Sequence, residues 1–460
     1  MFVKRLILIG LKKVRMQIPS LFGRFSPFLL GLILYSGNLN AESWSWSGAY
    51  LIQPETLEYS GPVQIQVRDG LVEKISPSSP GKEPLYILPG FCDSHVTLGA
   101  NSLGGQKDKH ELELDLKQFL LHGFTHIQSI ADPPWARELS ESRKRNFVFP
   151  KILTLPPVLI ADSKEVAGVK PSGYKILKSP EEAIAAVSSR GKGRAHLFLR
   201  HNQGEAFTID GKLLYRMRSE AEKAGLELSV STFGEEFANW EALSSEVKVL
   251  YHPIPEMPSL QPVAGNLIKQ IWAPLFSIYY AQKEVGTPSF SEEWEKWTNW
   301  SPSFKERAMS KEALSTLAPL SESEKQEADR EYESYLAFLR ARKNLSLRIL
   351  LGSGSGHQLL FPGISGWKEL RILSDLIGPK EALRAATETT CTYLGAAHEG
   401  KIRVGKPADL LIFREDPLKN WDKLKTLKTV VTEMVKTEIV APSSPEKKNE
   451  KKKSKSRKKG

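Results

Sequence analysis

The feature that most constrains this chain is an alternation running through residues 89–399. Short apolar runs of strand character recur between stretches with the spacing of amphipathic helices, the pattern of a parallel sheet covered by helices. Strand candidates are 125–128, 151–154, 196–199, 226–230, 247–251 and 347–351. About eight such strands with intervening helices fit a (β/α)8 TIM barrel, an α/β fold. Several helix boundaries are written into the sequence. Ser179-Pro180-Glu181-Glu182 supplies an N-cap, a proline at the first helical position and an acid at the box position. Asp210 caps a helix running to Lys223, with Gly225 beyond its end, and Gly378-Pro379 opens another. A chain of 460 residues has room for a barrel and one accessory unit.

Small strand clusters flank this region. Val63-Gln64-Ile65-Gln66-Val67 alternates with period two, Asp69-Gly70 is a turn, and Leu71–Ile75 resumes the pattern. Near the other end, 401–404, 408–413 and 429–431 read the same way. Neither set alone has enough strands to bury a face. Residues 42–88 and 400–440 are therefore expected to form one composite β-sandwich beside a barrel domain of residues 89–399. The stretch 283–321, with Trp294, Trp297 and Trp300 among charges, reads as an insertion: helices packed through their aromatics, or a lid.

Gly 33, Pro 29 and Cys 2 exclude collagen-like, disordered and disulfide-scaffold classes. The net charge of +11 suggests nucleic acid until it is located. Residues 1–41 carry +6 and residues 441–460 carry +7, leaving 42–440 at −2. The basicity belongs to the ends, so no specific nucleic-acid partner is expected of the fold. At the N-terminus, Lys4, Arg5, Lys12, Lys13, Arg15 and Arg24 precede an apolar run from Pro27 to Tyr35 and small residues ending in Ala41. That order reads as a signal peptide over 1–41, with export to the periplasm or cell envelope and a mature chain starting near Glu42. An uncleaved N-terminal anchor is the alternative, and Met16 is the more typical start. Export places Cys92 and Cys391 in an oxidising compartment, and the sequence leaves their pairing open. Residues 441–460 are low-complexity and self-repelling, hence expected to be a disordered, solvated tail, with contact to an anionic envelope surface as its functional alternative.

Two motifs carry a family resemblance. Leu88-Pro89-Gly90-Phe91-Cys92-Asp93-Ser94-His95-Val96-Thr97 resembles the "LPG-hydrophobic-x-D-x-H-x-H" opening of the amidohydrolase superfamily, nearest its imidazolonepropionase-like branch. Gly400-Lys401-Ile402-Arg403-Val404-Gly405-Lys406-Pro407-Ala408-Asp409-Leu410 resembles its closing "G-x-I-x-x-G-K-x-A-D-L" signature, with Asp416-Pro417-Leu418 following. Ala224-Gly225-Leu226 before the fifth strand, Pro274-Leu275-Phe276-Ser277 in the seventh and the helix from Glu381 to Thr387 also agree. The resemblance implies a metal-dependent hydrolase of non-peptide C–N bonds, its barrel flanked by a small β-sandwich from both chain ends. In such a centre the metal lowers the pKa of a bound water and polarises the scissile carbonyl.

The ligand positions implied by the resemblance are largely altered. His95 is kept on the first strand, but Thr97 stands where a second histidine belongs. In Val230-Ser231-Thr232-Phe233-Gly234 no imidazole remains; the sixth strand keeps His252; Gly354 takes the place of the eighth-strand aspartate, the proton shuttle. The fourth strand offers Leu199-Arg200-His201. His95 and His252 are thus the residual metal-ligand positions, and both also read as hydrogen-bonded core histidines. A stable zinc site normally takes three protein ligands and a water, so the expected cofactor is none, or a weakly bound divalent metal, zinc if any. Gly352-Ser353-Gly354-Ser355-Gly356 is neither a nucleophile elbow nor a P-loop, because its centre is glycine and no Lys-Ser/Thr pair follows. His201, His357 and His398 read as surface or loop residues, while His110 and His126 show no metal spacing. Two functions follow: an exported hydrolase with an altered site, or a pseudoenzyme that binds a small molecule in the barrel mouth or serves as a scaffold. The substrate and the oligomeric state are not written in the sequence.

Overall fold

The computed structural model describes residues 43–99, 109–132, 135, 138, 149–155, 158–161, 174–189, 191–200, 207–284, 320–356, 359–432 and 435–439. The expected signal peptide, most of the 283–321 insertion, the Lys-rich tail, His201, His357 and the side chain of His110 lie outside the described residues. Among the described residues no helix is long and apolar enough to cross a membrane.

The fold is a mixed α/β architecture: a (β/α)8-like barrel with a β-rich domain built from both chain ends. Strands β1 (Ser43–Ile52), β2 (Tyr59–Arg68), β3 (Leu71–Pro77) and β4 (Leu85–Pro89) precede the barrel; β15 (Leu410–Phe413), β16 (Leu427–Thr432) and β17 (Val435–Glu438) follow it. They join in one seven-stranded sheet, ordered β17-β16-β15-β4-β1-β2-β3. The seam is the antiparallel pair β4–β15, in register Ile87↔Ile412 and Leu88↔Leu411. Because side chains alternate across a strand, this pair serves two cores at once. Ile87, Leu410 and Ile412 pack in the end domain with Val63, Ile65 and Val67. Leu88, Leu411 and Phe413 turn to the barrel. Lys401–Val404, expected as a strand, is not one; Ile402 is buried there as a single anchor while its neighbours serve a turn.

The barrel strands are β5 (Phe91–Val96), β6 (Phe124–Ser129), β7 (Lys151–Thr154), β8 (Val158–Ile160), β10 (Gly193–Phe198), β11 (Leu226–Ser231), β12 (Val249–Tyr251), β13 (Ile271–Ala273) and β14 (Arg348–Ile349). All pair in parallel, and β9 (Tyr174–Ile176) adds outside β8. The third barrel position is split: β7 pairs with β6, and β8 with β10. Closure runs between β5 and the chain after β14, through Ser94 N–H to the Leu351 carbonyl (2.9 Å) and Thr97 N–H to that of Ser355 (2.8 Å). β5 and β6 are buried at every position, as strands covered on both faces must be. Helix ends follow the local chemistry. Ser179 accepts from Glu182 N–H at the start of Pro180–Ser188, and Asp210 accepts from Leu213 N–H at the start of Gly211–Lys223. Pro274–Ser277 is not in the seventh strand but just past it, entering the helix Phe276–Glu284.

Candidate functional site at the barrel mouth

Three inward-facing histidines gather at the carboxyl ends of the barrel strands. His95 comes from β5, His196 from β10, and His252 follows β12; all three are buried. The rings of His95 and His252 lie 5.8 Å apart, and those of His95 and His196 6.4 Å. Tyr251 contacts two of them, at 5.1 Å from His95 and 5.4 Å from His196. Its hydroxyl accepts from Gln128 Nε2 (2.9 Å). His252 lies against Phe233 at 4.6 Å, and its Nδ1 is 3.2 Å from the Tyr279 hydroxyl. The backbone here is unusual. Ala131, Phe233, His252 and Leu275 all have positive φ, a conformation that costs non-glycine residues and that clusters at functional sites.

His196 is fully engaged. Its Nδ1 is 2.7 Å from Ser229 Oγ and its Nε2 is 2.9 Å from Ser231 Oγ. Burial depresses its pKa to about 3, so the ring is neutral, with one nitrogen donating and the other accepting. Ser231 therefore places a hydroxyl against an imidazole at a position where the resemblance implies a ligand. Gly354 differs from an aspartate in space as well as chemistry. Its φ is +64°, and a Cβ there would lie 2.6 Å from Ile278 Cγ1 and 3.1 Å from Leu360 Cδ1. Thr97 is held through its backbone to Ser355, and Gly356 must be glycine because a Cβ would meet the Thr97 carbonyl oxygen at 2.0 Å.

Two carboxylates lie buried beneath the closure. Asp93 Oδ1 accepts from the backbone N–H groups of His95 (3.1 Å) and Ser353 (2.9 Å). Desolvation nevertheless pushes its pKa up to about 7. Glu369 accepts from Phe276 N–H (3.1 Å) and Ser277 N–H (2.6 Å) at the start of the following helix. Burial, with the Asp93 charge adding to it, raises its pKa to about 8. Ser277 Oγ donates to the Ser353 carbonyl (2.9 Å), tying the two groups into one polar layer.

Sequence reasoning placed His95 and His252 at the mouth, and the structure brings them together there. It missed His196, although the strand 196–199 was identified. The period-two alternation of Arg194, His196 and Phe198 was the available signal, since these three face the residues of β11 and the barrel interior. His398, expected at the surface or in a loop, lies in a turn but is only 1% exposed. Among the described residues, the triads whose ligating atoms all lie within 4.8 Å of one another are Cys92-Cys391-His398 and His126-His398-Asp409, both away from the mouth. In the first, Cys92 and Cys391 are joined as a disulfide. In the second, His398 Nδ1 accepts from Gly400 N–H (3.0 Å), which puts the neutral ring's proton on Nε2, 3.5 Å from Asp409 Oδ2. A metal on Nε2 would displace that proton and set an Nδ1–H against the Gly400 N–H. The triad is built as hydrogen-bonded packing beneath the barrel.

A parallel barrel with inward histidines at its strand ends, carried beside a sheet made from both chain ends, defines the fold class: a (β/α)8-like barrel with a composite end domain. More specifically, the amidohydrolase family model matches residues 331–440. Solved structures share the fold over most of the chain. A Bifidobacterium longum protein assigned as a prolidase matches with a TM-score of 0.64 and 18% identity, covering 85% of this chain and 94% of its own. A Xaa-Pro dipeptidase with bound methionine in its active site matches at 0.61 and 18%, covering 86% and 100%. The Aspergillus niger ochratoxinase matches at 0.57 and 16%, covering 85% and 95%. No curated protein sequence matches the chain. The resemblance to the amidohydrolase superfamily is thus borne out.

Proposed function

We propose that this chain is an exported amidohydrolase-fold protein whose barrel mouth receives a small molecule without hydrolysing it. The observation carrying the reading is the double engagement of His196 by Ser229 and Ser231, which turns a fifth-strand ligand position into a hydrogen bond between neutral groups. The residues present do not fit a divalent-metal centre. Thr97, Ser231 and Gly354 supply neither imidazole nor carboxylate, and Ile278 occupies the space an aspartate at 354 needs; with both nitrogens of His196 bonded to Ser229 and Ser231, His95 and His252 alone are left, a two-ligand site. The positive-φ residues kept around the mouth favour ligand binding over a bare scaffold, because such strain persists where a site over-determines it. Export rests on the charged, apolar and small-residue order of residues 1–41.

Elemental analysis of the dialysed mature protein tests this. The expected result is substoichiometric zinc, manganese and iron, negligible hydrolysis of cyclic amides and N-acyl amino acids, and a first residue near Glu42. One tightly held metal per chain, lost together with a hydrolytic activity on His95→Ala or His252→Ala, restores the hydrolase reading instead.

A further inference from the structure

The opposite, amino-terminal face of the barrel holds a cavity of about 480 Å³, within the ordinary range for small-ligand sites. It lies where the helix Glu322–Arg342 ends, where β14 begins, and beside the helices Ile364–Ile377 and Pro379–Arg384. Leu339, Leu345, Leu347, Ile349 and Ile377 supply its apolar wall. Leu345 is 41% exposed, a large aliphatic side chain left open to solvent. The polar lining is mainly cationic: Lys343, Arg348 and Arg384 against Glu381. Arg384 is already engaged by Glu381 (3.2 Å) and Glu388 (3.5 Å). Among the described residues neither Lys343 nor Arg348 forms an ion pair, and Arg348 Nη2 donates to the Lys269 carbonyl (2.8 Å). Two exposed cations of the lining are thus not paired with a carboxylate among the described residues.

A second observation singles out the same place. The chain forms a π-helical turn over Ala385–Thr389, between two α-helical segments, and Arg384 and Thr389 at its ends both line the cavity. Such turns occur mostly as isolated insertions in helices and frequently at functional sites. Thr389 and Ser346 add hydroxyls to the two cations, a set of donors suited to a carboxylate. No aromatic side chain lines the cavity among the described residues, so the wall suits a flexible aliphatic body rather than a flat ring.

We propose that this cavity binds an aliphatic carboxylate, its head between Lys343 and Arg348 and its alkyl chain against Leu339, Leu345 and Ile349. The site is separate from the mouth and independent of whether the mouth binds or hydrolyses anything. Calorimetric titration of the full chain with decanoate tests it, with decyltrimethylammonium as the charge-reversed probe. Saturable binding of one decanoate per chain is expected. Lys343→Glu and Arg348→Glu should each weaken it by about tenfold or more, as should Leu345→Asp. All three positions are solvent-accessible, and unchanged circular dichroism and melting will show that the variants fold. Absence of saturable decanoate binding overturns the proposal. So does equal affinity for the ammonium probe, or binding undiminished in the Lys343→Glu/Arg348→Glu double variant.

Discussion

The barrel mouth and the seam beneath the barrel make an instructive pair. At the seam the Leu88-Pro89-Gly90 start of the opening motif and the closing motif are both kept, and the structure gives each a packing reason. Gly90 N–H donates to the Asp409 carbonyl (3.0 Å), and a Cβ at Gly90 would lie 2.3 Å from Thr125 Oγ1. Leu411 reaches under the barrel so closely that a Cβ at Gly123 would meet it at 2.8 Å. At the mouth, by contrast, three of the ligand positions have become a hydroxyl in hydrogen-bonding contact, a hydroxyl residue held by its backbone, and a glycine under an isoleucine. The motifs that identify this superfamily are therefore largely instructions for joining two chain ends to a barrel, and they can persist where the chemistry of the mouth does not.

The largest effect should come from the disulfide beside the seam, which ties β5 to the helix Thr390–Leu394. Cys92 of β5 is joined to Cys391 across 299 residues, so the bridge removes a long loop from the unfolded ensemble. The double variant Cys92→Ala/Cys391→Ala is expected to lose about 2–5 kcal/mol in denaturant unfolding. Hydrogen exchange should rise first in β4 and β15, the strands that share the seam. An unchanged midpoint would show that the bridge beside the seam adds nothing to the stability of the barrel.

At the mouth, Gly354→Asp tests whether the altered site is filled or merely lacking a ligand. Overpacking against Ile278 together with a positive φ is expected to cost about 2–4 kcal/mol. Ile278→Ala in the same chain should recover part of that loss. For the same reason, Thr97→His, Ser231→His and Gly354→Asp combined are not expected to rebuild a metal site unless Ile278 is also reduced. A well-folded triple variant that takes up one zinc per chain would show the mouth to be vacant rather than repacked.

How much of this was legible in advance follows from the range of the interactions. Caps at Ser179 and Asp210, the strands of the barrel and the pairing of both ends are local patterns or periodicities, and they read directly. The sequence also named His95 and His252, because each sits in a motif. It was silent on His196, whose partners Ser229 and Ser231 belong to the next strand, and on His398, whose burial depends on Gly400 and Asp409 folding back onto β6. The joining of Cys92 to Cys391 was equally invisible, because only the closed barrel brings those residues within reach.

The buried histidines and the buried carboxylates titrate in opposite senses. Burial lowers the pKa of His122 to about 4 and of His196 and His398 to about 3, and it holds His126 well below the ordinary histidine range. Unfolded histidines take up protons as pH falls through about 6.5 while these do not, so stability is lost on the acid side. Asp93 and Glu369 behave oppositely: their native pKa values, about 7 and about 8, lie above the unfolded ones, so the native state holds protons that the unfolded chain has released. Their contribution declines as pH rises from about 4 to about 8. Four histidines outweigh two acids below pH ~6.5, and the acids act alone above it, so the melting temperature should peak near pH ~6.5. Between pH ~6.5 and ~8 the decline should amount to about 2–3 kcal/mol, and Glu369→Gln should flatten most of it. A profile that rises steadily to pH ~8 would separate these carboxylates from the stability of the closure.

The smallest expected effect decides most directly what Ser231 does. If its hydroxyl serves the buried imidazole of His196, Ser231→Ala leaves Nε2 without its partner at a buried position. The cost is the desolvation of one ring nitrogen, about 1–2 kcal/mol, because Ser229 still holds Nδ1 and fixes the ring. His196→Ala should cost more on its own, since it strands two hydroxyls and opens a cavity among Tyr251, Phe198 and His95. The informative quantity is the coupling in the double-mutant cycle. Adding Ser231→Ala to a chain already lacking His196 should cost little or nothing, because the hydroxyl then has no imidazole to serve. Strictly additive losses would mean that Ser231 is only a small residue fitting a tight strand, and the mouth would then differ from the seam by loss of ligands alone, without a replacement network.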